Sequence, residues 1–408
     1  MLDFGFDLAF DWRLYLALIA ALAFGFWQGK RYQSRDGKSA THSLNQEYFQ
    51  GLNFLLNEEP DAAIDSFIKA LEVNSETLET HLALAKLLRK RGEVDRAIRV
   101  HQNLLARPGL TKEQSEQAQY ELAVDFTKAG LLDRAEGLLV TLIKEEGIFQ
   151  QQALVLLLEV YRDEKEWEDG LGVLQTLAGS RFSKSYDKWA STRAHFCCEL
   201  AEAAIIANEY EAARRWLKQA LAYDKQNARA SLLLGRLEIA AGNTERGIQQ
   251  LQRIVEQNPD YVSEALPYLA GGYKELNRLN KYRHFLNDAY HKFDNPILVA
   301  ELTDVIALQE GEAAAVEFIA KEVRDHPSGV GLHKLLDYYL SFADQRTRDH
   351  LSALQTVMER VIQRSPQYQC RQCGFKGQKL HWLCPSCKQW GKIKPIQFIG
   401  EEHSSSHH

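Results

Sequence analysis

Residues 201–220 read AEAAIIANEYEAARRWLKQA. A small residue stands at Ala201, another twelve positions on at Ala213, then Leu217 at +16 and Ala220 at +19. Between them Asn208-Glu209-Tyr210-Glu211-Ala212-Ala213 reads as the turn into a second helix. Small residues at these offsets let two antiparallel helices approach closely, while the larger apolar ones fill the groove to the next element. The same register recurs along the chain: Gly51, Ala63, Phe67 and Ala70; Ala85, Ala97, His101 and Leu104; Ala123, Ala135, Leu139 and Leu142; Gly235, Gly247, Leu251 and Ile254. A weaker copy uses Ala270, Tyr282, Leu286 and Ala289.

A period of about 34 residues with this small-residue register is the tetratricopeptide pattern. It organises residues 45–365, where Arg91-Gly92-Glu93-Val94-Asp95-Arg96-Ala97 supplies a second turn signal and Pro259 closes a helix. Degenerate copies fall at 161–177, 300–323 and 332–362, which predicts about eight or nine helix pairs. One pair cannot bury its own apolar face, so the expected fold is an all-α tetratricopeptide-repeat superhelix whose concave surface binds peptides or protein elements.

The last forty residues differ. Cys370 and Cys373, then Cys384 and Cys387, form two Cys-x-x-Cys pairs. Two such pairs brought together give a tetrahedral four-sulfur site that suits zinc or a single iron. With all four positions taken by protein thiolates, the site is expected to be structural rather than catalytic. Gly374 supplies the positive φ that a metal knuckle needs, whereas Lys388 takes the corresponding place in the second. Residues 379–383 read as a short strand, and Phe375, Trp382 and Trp390 are expected to shield the sulfurs. Arg364 to Gly400 carries seven basic residues and no acidic one, so the rest of the chain carries −13 of the total −6. So small a module, 368–400, cannot hold a core alone, and metal binding is expected to supply much of its folding free energy. The linker Arg364-Ser365-Pro366-Gln367 is so short that the module is expected to dock on the end of the array.

At the other end, Leu14 to Trp27 reads LYLALIAALAFGFW without a charge. It covers roughly 21 Å as a helix and approaches the bilayer core if Arg13 and Gln28 are included. Lys30, Arg31, Arg35 and Lys38 follow it, and Asp3, Asp7 and Asp11 precede it. The positive-inside rule predicts a short periplasmic N-terminus at 1–12, a single transmembrane helix at 13–28, a basic juxtamembrane linker at 29–44 and a cytoplasmic body. Cationic residues after rather than before the apolar run argue for an uncleaved anchor over a signal peptide. A cytoplasmic body also favours metal over disulfides at the four cysteines.

No catalytic constellation emerges: there is no His-Glu-x-x-His, no Gly-x-Ser-x-Gly and no Walker loop. Gly170-Leu171-Gly172 sits inside a helical repeat without a third glycine, and Cys197 and Cys198 read as small buried side chains. His195 and Glu199 stand one helical turn apart with no second histidine to complete a metal pair. Residues 401–408, with His403, His407 and His408, read as a flexible tail.

The order of parts (anchor, basic linker, repeat array, four-cysteine module) resembles the lipopolysaccharide assembly protein B family of Gram-negative bacteria. The resemblance covers essentially the whole chain. Its most telling strings are Gly92-Glu93-Val94-Asp95-Arg96-Ala97-Ile98-Arg99, Cys370-Arg371-Gln372-Cys373-Gly374-Phe375, Cys384-Pro385-Ser386-Cys387 and Ile393-Lys394-Pro395-Ile396. The acidic start and the His/Ser-rich end depart from the family pattern. The resemblance implies a non-enzymatic inner-membrane adaptor that limits lipopolysaccharide synthesis by promoting proteolysis of the deacetylase LpxC by the membrane protease FtsH. It further implies antagonism by an inner-membrane lipopolysaccharide-sensing protein, contact with other lipopolysaccharide assembly proteins, and rubredoxin-type iron at the four cysteines, although zinc fits the same ligands. Two other readings are a rubredoxin-type electron-transfer protein and a nucleic-acid-binding zinc ribbon. The short link to the array argues against nucleic acid, and a homodimer is left open.

Overall fold

The computed structural model describes residues 19–24, 49–54, 56, 57, 59, 62–67, 78–179, 187–293 and 295–396. The expected periplasmic segment, most of the anchor, the basic linker, Ala70 and the tail lie outside them. Residues 19–24 are helical and exposed, and among the described residues no helix is long and apolar enough to cross a membrane.

The chain divides into two compact units, one ending at Lys165 and one starting at Glu166. The first contains α1 (Leu78–Lys90), α2 (Val94–Leu105), α3 (Lys112–Lys128), α4 (Leu132–Lys144) and α5 (Gln150–Glu164). The second begins with α6 (Trp167–Ala178), α7 (Ala190–Ile206), α8 (Tyr210–Tyr223), α9 (Ala228–Ala240) and α10 (Thr244–Gln257). After a 3-10 turn at Pro259–Tyr261 it continues with α11 (Val262–Glu275), α12 (Leu279–Phe293), α13 (Pro296–Glu310), α14 (Glu312–Asp325), α15 (Gly329–Phe342) and α16 (Gln345–Arg364).

One local device ends the first helix of five pairs. The backbone turns through a left-handed residue at Gly92, Gly130, Asn208, Gly242 or Asn277. The next N–H then donates to a carbonyl five residues back, as from Glu93 to Leu88 (2.9 Å), Glu209 to Ala204 (2.8 Å) and Asn243 to Glu238 (2.8 Å). Glycine and asparagine take this conformation most readily, and the bond satisfies a carbonyl that the helix end would orphan. Helix starts are capped in turn. Thr111 and Gln114 form a capping box on α3, and Asn227 accepts from the Ala230 N–H at 2.9 Å.

The repeat register is the core. Ala63, Ala85, Ala97, Ala123, Ala135, Ala201 and Ala213 are fully buried, as are Phe67, Leu139, Leu217, Leu251, Ile254 and Leu286. Helices α9 and α10 approach closely at a pair of glycines. A Cβ on Gly235 would stand 2.5 Å from Leu251 Cγ and 3.0 Å from the Gly247 carbonyl oxygen. In the weaker copy Ala270 is only half-buried, although Tyr282 and Leu286 are fully covered. His101 takes an apolar register position and is fully buried because its Nδ1 lies 2.5 Å from Asp125 Oδ2. Asp125 in turn accepts from Arg89 at 2.6 Å, so the buried carboxylate is paired, whereas His101 Nε2 is buried without a hydrogen-bond partner among the described residues. Gly170 and Gly172 both lie within α6, and a Cβ on Gly170 would meet the Phe196 ring at 2.4 Å. Helix packing, not dinucleotide binding, accounts for that glycine.

The C-terminal module is a three-stranded antiparallel sheet in the order β2-β1-β3, with β1 at Tyr368–Cys370, β2 at Lys376–Gly377 and β3 at Ile393–Pro395. Tyr368 pairs with Gly377 on one side and Pro395 on the other. The expected strand at 379–383 does not form; only Leu383 pairs, in a single bridge to Trp390. Leu380 and Trp382 instead pack against the helical core around Tyr261, Val262 and Ala265, which draws that stretch away from sheet pairing.

Candidate metal centre and its seat

Each Cys-x-x-Cys pair lies in a knuckle with the same backbone pattern. In the first, the Gly374 N–H donates to the Cys370 carbonyl (2.9 Å) and the Cys370 N–H to the Phe375 carbonyl (2.8 Å). In the second, the Lys388 N–H donates to the Cys384 carbonyl (2.9 Å) and the Cys384 N–H to the Gln389 carbonyl (3.0 Å). Both turns pass through a left-handed residue, Gly374 at φ 77° and Lys388 at φ 56°. Lys388 therefore adopts the conformation that glycine would take, at a cost of roughly 1 kcal/mol.

The knuckles converge. Cys370 Sγ lies 3.7 Å from Cys387 Sγ, and Cys373 Sγ lies 3.6 Å from Cys384 Sγ. All four sulfurs fall within 4.8 Å of one another. Sulfurs around a zinc ion at 2.3 Å would be about 3.8 Å apart in a tetrahedron, so the donor set fits a tetrathiolate-held ion. Zinc and iron both take this geometry. Cys370 and Cys384 are buried, whereas Cys373 is exposed. A backbone N–H at Phe375 pulls the Cys373 thiol down to about 6. Desolvation and then the neighbouring sulfurs push Cys387 up to about 12. Four thiolates this close repel one another, and a divalent cation between them relieves that repulsion.

Phe375 and Leu380 pack beside the buried sulfurs with Tyr368 and Ile393. The two tryptophans, expected to shield the sulfurs, turn instead towards the helices. Trp390 stacks on His195 of α7, with ring centroids 4.8 Å apart and planes 11° apart, and meets Phe196 and Trp167 edge-on. Trp382 lies 4.7 Å from the Tyr261 ring. Arg229 at the start of α9 stands 5.9 Å from Trp382 and 5.8 Å from Trp390. Its charge is matched by Glu199 at 2.8 Å and Glu202 at 3.1 Å. Glu199 thus serves Arg229, and His195 serves the tryptophan; neither joins the metal site.

Polar contacts complete the seat. Tyr261 donates from its hydroxyl to the carbonyls of Gly391 (3.1 Å) and Ile393 (2.9 Å). Tyr368 donates to Glu264 Oε1 at 2.7 Å. Asp260 Oδ2 lies 3.6 Å from both Arg371 and Lys394. Lys394 is nearly buried over the Tyr261 ring at 3.8 Å, and desolvation, against the pull of Asp260, brings its ammonium down to about 8. Two of the six basic residues of the module, Arg371 and Lys394, are thereby used against the helices. The seat lies on α7, α9 and the Pro259–Tyr261 turn into α11, not at the end of the array, because that is where the aromatic and acidic partners stand. Periodicity does not reveal it: His195, Arg229 and Asp260 occupy no register position. The one available signal is the local density of aromatic residues in the module itself.

Burial disfavours ionisation of His195, and Arg229 adds to this, so its imidazolium forms only near about pH 3. Cys197 is held up to about 12 by desolvation, and Cys198, fully buried beside it, is also raised. Both are inert packing thiols, as the sequence suggests.

Known families match these parts. A rubredoxin metal binding domain matches residues 368–395, and tetratricopeptide repeats match 80–113 and 204–267. Lipopolysaccharide assembly protein B of Escherichia coli K12 is 36% identical over 385 residues, covering 94% of this chain and 98% of the relative. The Haemophilus influenzae protein of the same name is 34% identical over 401 residues, covering 96% and 99%.

Proposed function

The chain belongs to the lipopolysaccharide assembly protein B family, and from that premise we propose a membrane-anchored adaptor that limits lipopolysaccharide synthesis. It holds the deacetylase LpxC on its repeat array and presents it to the membrane protease FtsH. A single N-terminal helix at 13–28 tethers it to the bacterial inner membrane, with residues 1–12 periplasmic and the repeat body cytoplasmic. An inner-membrane lipopolysaccharide-sensing protein opposes it. Tethering raises the effective concentration of client near the protease without requiring new contacts.

The observation that carries this reading is the placement of the metal centre. Four protein sulfurs converge in a module held on the helices by Trp382, Trp390 and Tyr261. When bound, the ion supplies a cross-link between two knuckles. The chain's own residues then hold the array in shape: Trp390 covers His195, Tyr261 bonds two module carbonyls, and Asp260 faces Arg371 and Lys394. A centre built in this way supports a scaffold rather than a reaction.

Pulse-chase measurement of LpxC in cells depleted of this protein tests the function. The half-life of the deacetylase is expected to lengthen, and restoring the wild-type chain to shorten it again. An unchanged half-life rejects the proposal.

A further inference from the structure

Helix α16 spans twenty residues, and none of its described side chains is buried. Its inner side faces α15: Gln355 donates to Asp337 at 2.5 Å, and Glu359 lies 4.0 Å from His333. Leu351, Met358 and Ile362 are half-buried. Its outer side carries Leu354, Val357 and Val361, which are 57%, 58% and 57% exposed. A last helix of a repeat array ordinarily turns a polar face outward, so this stripe is anomalous.

The spacing is informative. Leu354, Val357 and Val361 follow a three-then-four step, which is the a–d–a step of a coiled-coil seam. Arg346 and Arg360 fall on the flanking positions of that seam, and Arg364 closes it; all three are exposed. The acidic residues of the helix stand elsewhere: Glu359 is towards α15, and Asp349 accepts from Gln345 at 3.2 Å.

Charge selects the occupant. A second copy packed antiparallel would set Arg346 against Arg360 of the other helix, and like charges across a seam disfavour pairing. Packed parallel, the facing flank would offer Leu351, Met358 and Ser365, none of which answers an arginine. The stripe is also a narrow ridge without an aromatic residue, unlike the broad apolar face of a helix that lies in a membrane surface. We propose that the outer face of α16 is a docking seam for one amphipathic helix of another protein. That helix presents apolar residues at heptad spacing, and carboxylates to Arg346, Arg360 and Arg364. The seam is distinct from the metal centre, and its reading does not depend on which client the array carries.

The test uses the full chain in detergent and two synthetic three-heptad helices with leucine at the seam, one flanked by glutamate and one by lysine. Fluorescence anisotropy is expected to show the glutamate helix binding about tenfold or more tighter than the lysine helix. Val357→Glu, on an exposed position that leaves the fold intact by circular dichroism, is expected to abolish binding. The double variant Arg346→Glu, Arg360→Glu is expected to reverse the preference. Equal affinity for the two helices, or binding indifferent to Val357→Glu, overturns the proposal. So does a fall in oligomer mass with Val357→Glu, which would make the occupant a second copy. Displacement of the bound peptide by phosphatidylglycerol vesicles but not by phosphatidylcholine vesicles would make it a lipid surface and overturn the proposal equally.

Discussion

The repeat register and the seat of the metal module bury their residues by different means. In the register, burial falls on alanines, glycines and leucines that recur because every helix pair must approach its neighbour. In the seat, burial falls once, on His195, Arg229 and Lys394, each nearly covered. Aromatic faces and a matched carboxylate make those polar groups tolerable: Trp390 over His195, two tryptophans and two glutamates around Arg229, and Tyr261 with Asp260 around Lys394. The register is held mainly by apolar packing, with polar pairs where His101 meets Asp125 and Tyr282 meets Glu301. The seat takes its aromatic cover from the four-cysteine module, through Trp382 and Trp390.

The sharpest way to break the seat is to remove a metal ligand. Cys373→Ser is expected to unfold the module, because binding of a structural zinc is worth on the order of 10 kcal/mol. Limited proteolysis should then cleave within 368–396 and expose α7 and α9, while α1–α4 keep their protection. Unchanged protease resistance would contradict this. The corresponding break in the register is Gly235→Leu. A Cβ there meets Leu251 and the Gly247 carbonyl, so overpacking is expected to cost about 3 kcal/mol, read as a lower urea midpoint.

A smaller effect separates the two regions by pH. In the unfolded chain His195 titrates near 6.5, whereas in the fold it stays neutral down to about 3. The unfolded state therefore binds the proton first, and stability falls as pH drops from 6.5 towards 3. The expected loss is about 2 kcal/mol between pH 7 and pH 5. His195→Phe keeps a ring against Trp390 and removes the titration, so its stability should stay flatter over that interval in denaturant titrations. The smallest effect lies within the module. Lys388→Gly relieves a left-handed lysine and is expected to raise the melting temperature of the metal-loaded protein slightly, by about 1 kcal/mol of stability. Gly374→Ala, at φ 77°, should lower it.

Much of this architecture is legible in the sequence because it repeats. Ala201, Ala213 and Leu217 can be read as core from their offsets alone, and the four cysteines from their spacing. Asn208 and Gly92 announce their turns because few residues adopt a left-handed backbone. The seat is not legible in this way. His195 and Glu199 look like an idle pair on one helix, yet one is covered by a tryptophan 195 residues later and the other pairs with Arg229. Trp382 and Trp390 look like shields for the sulfurs because they lie close to them in sequence. Their direction is set by the helices beneath, to which neither spacing nor composition of the module refers. For the same reason the short linker suggests docking at the last repeat, whereas the partners lie on α7, α9 and α11.

The central claim is that a metal-ordered module holds its seat on the helices. Hydrogen–deuterium exchange of the full chain, before and after metal removal by a chelator, tests it directly. Faster exchange is expected in 368–396, in α7, at the start of α9 and in 259–264, with α3 and α4 unchanged. Faster exchange confined to 368–396, with α7, α9 and 259–264 as protected as before, would contradict it.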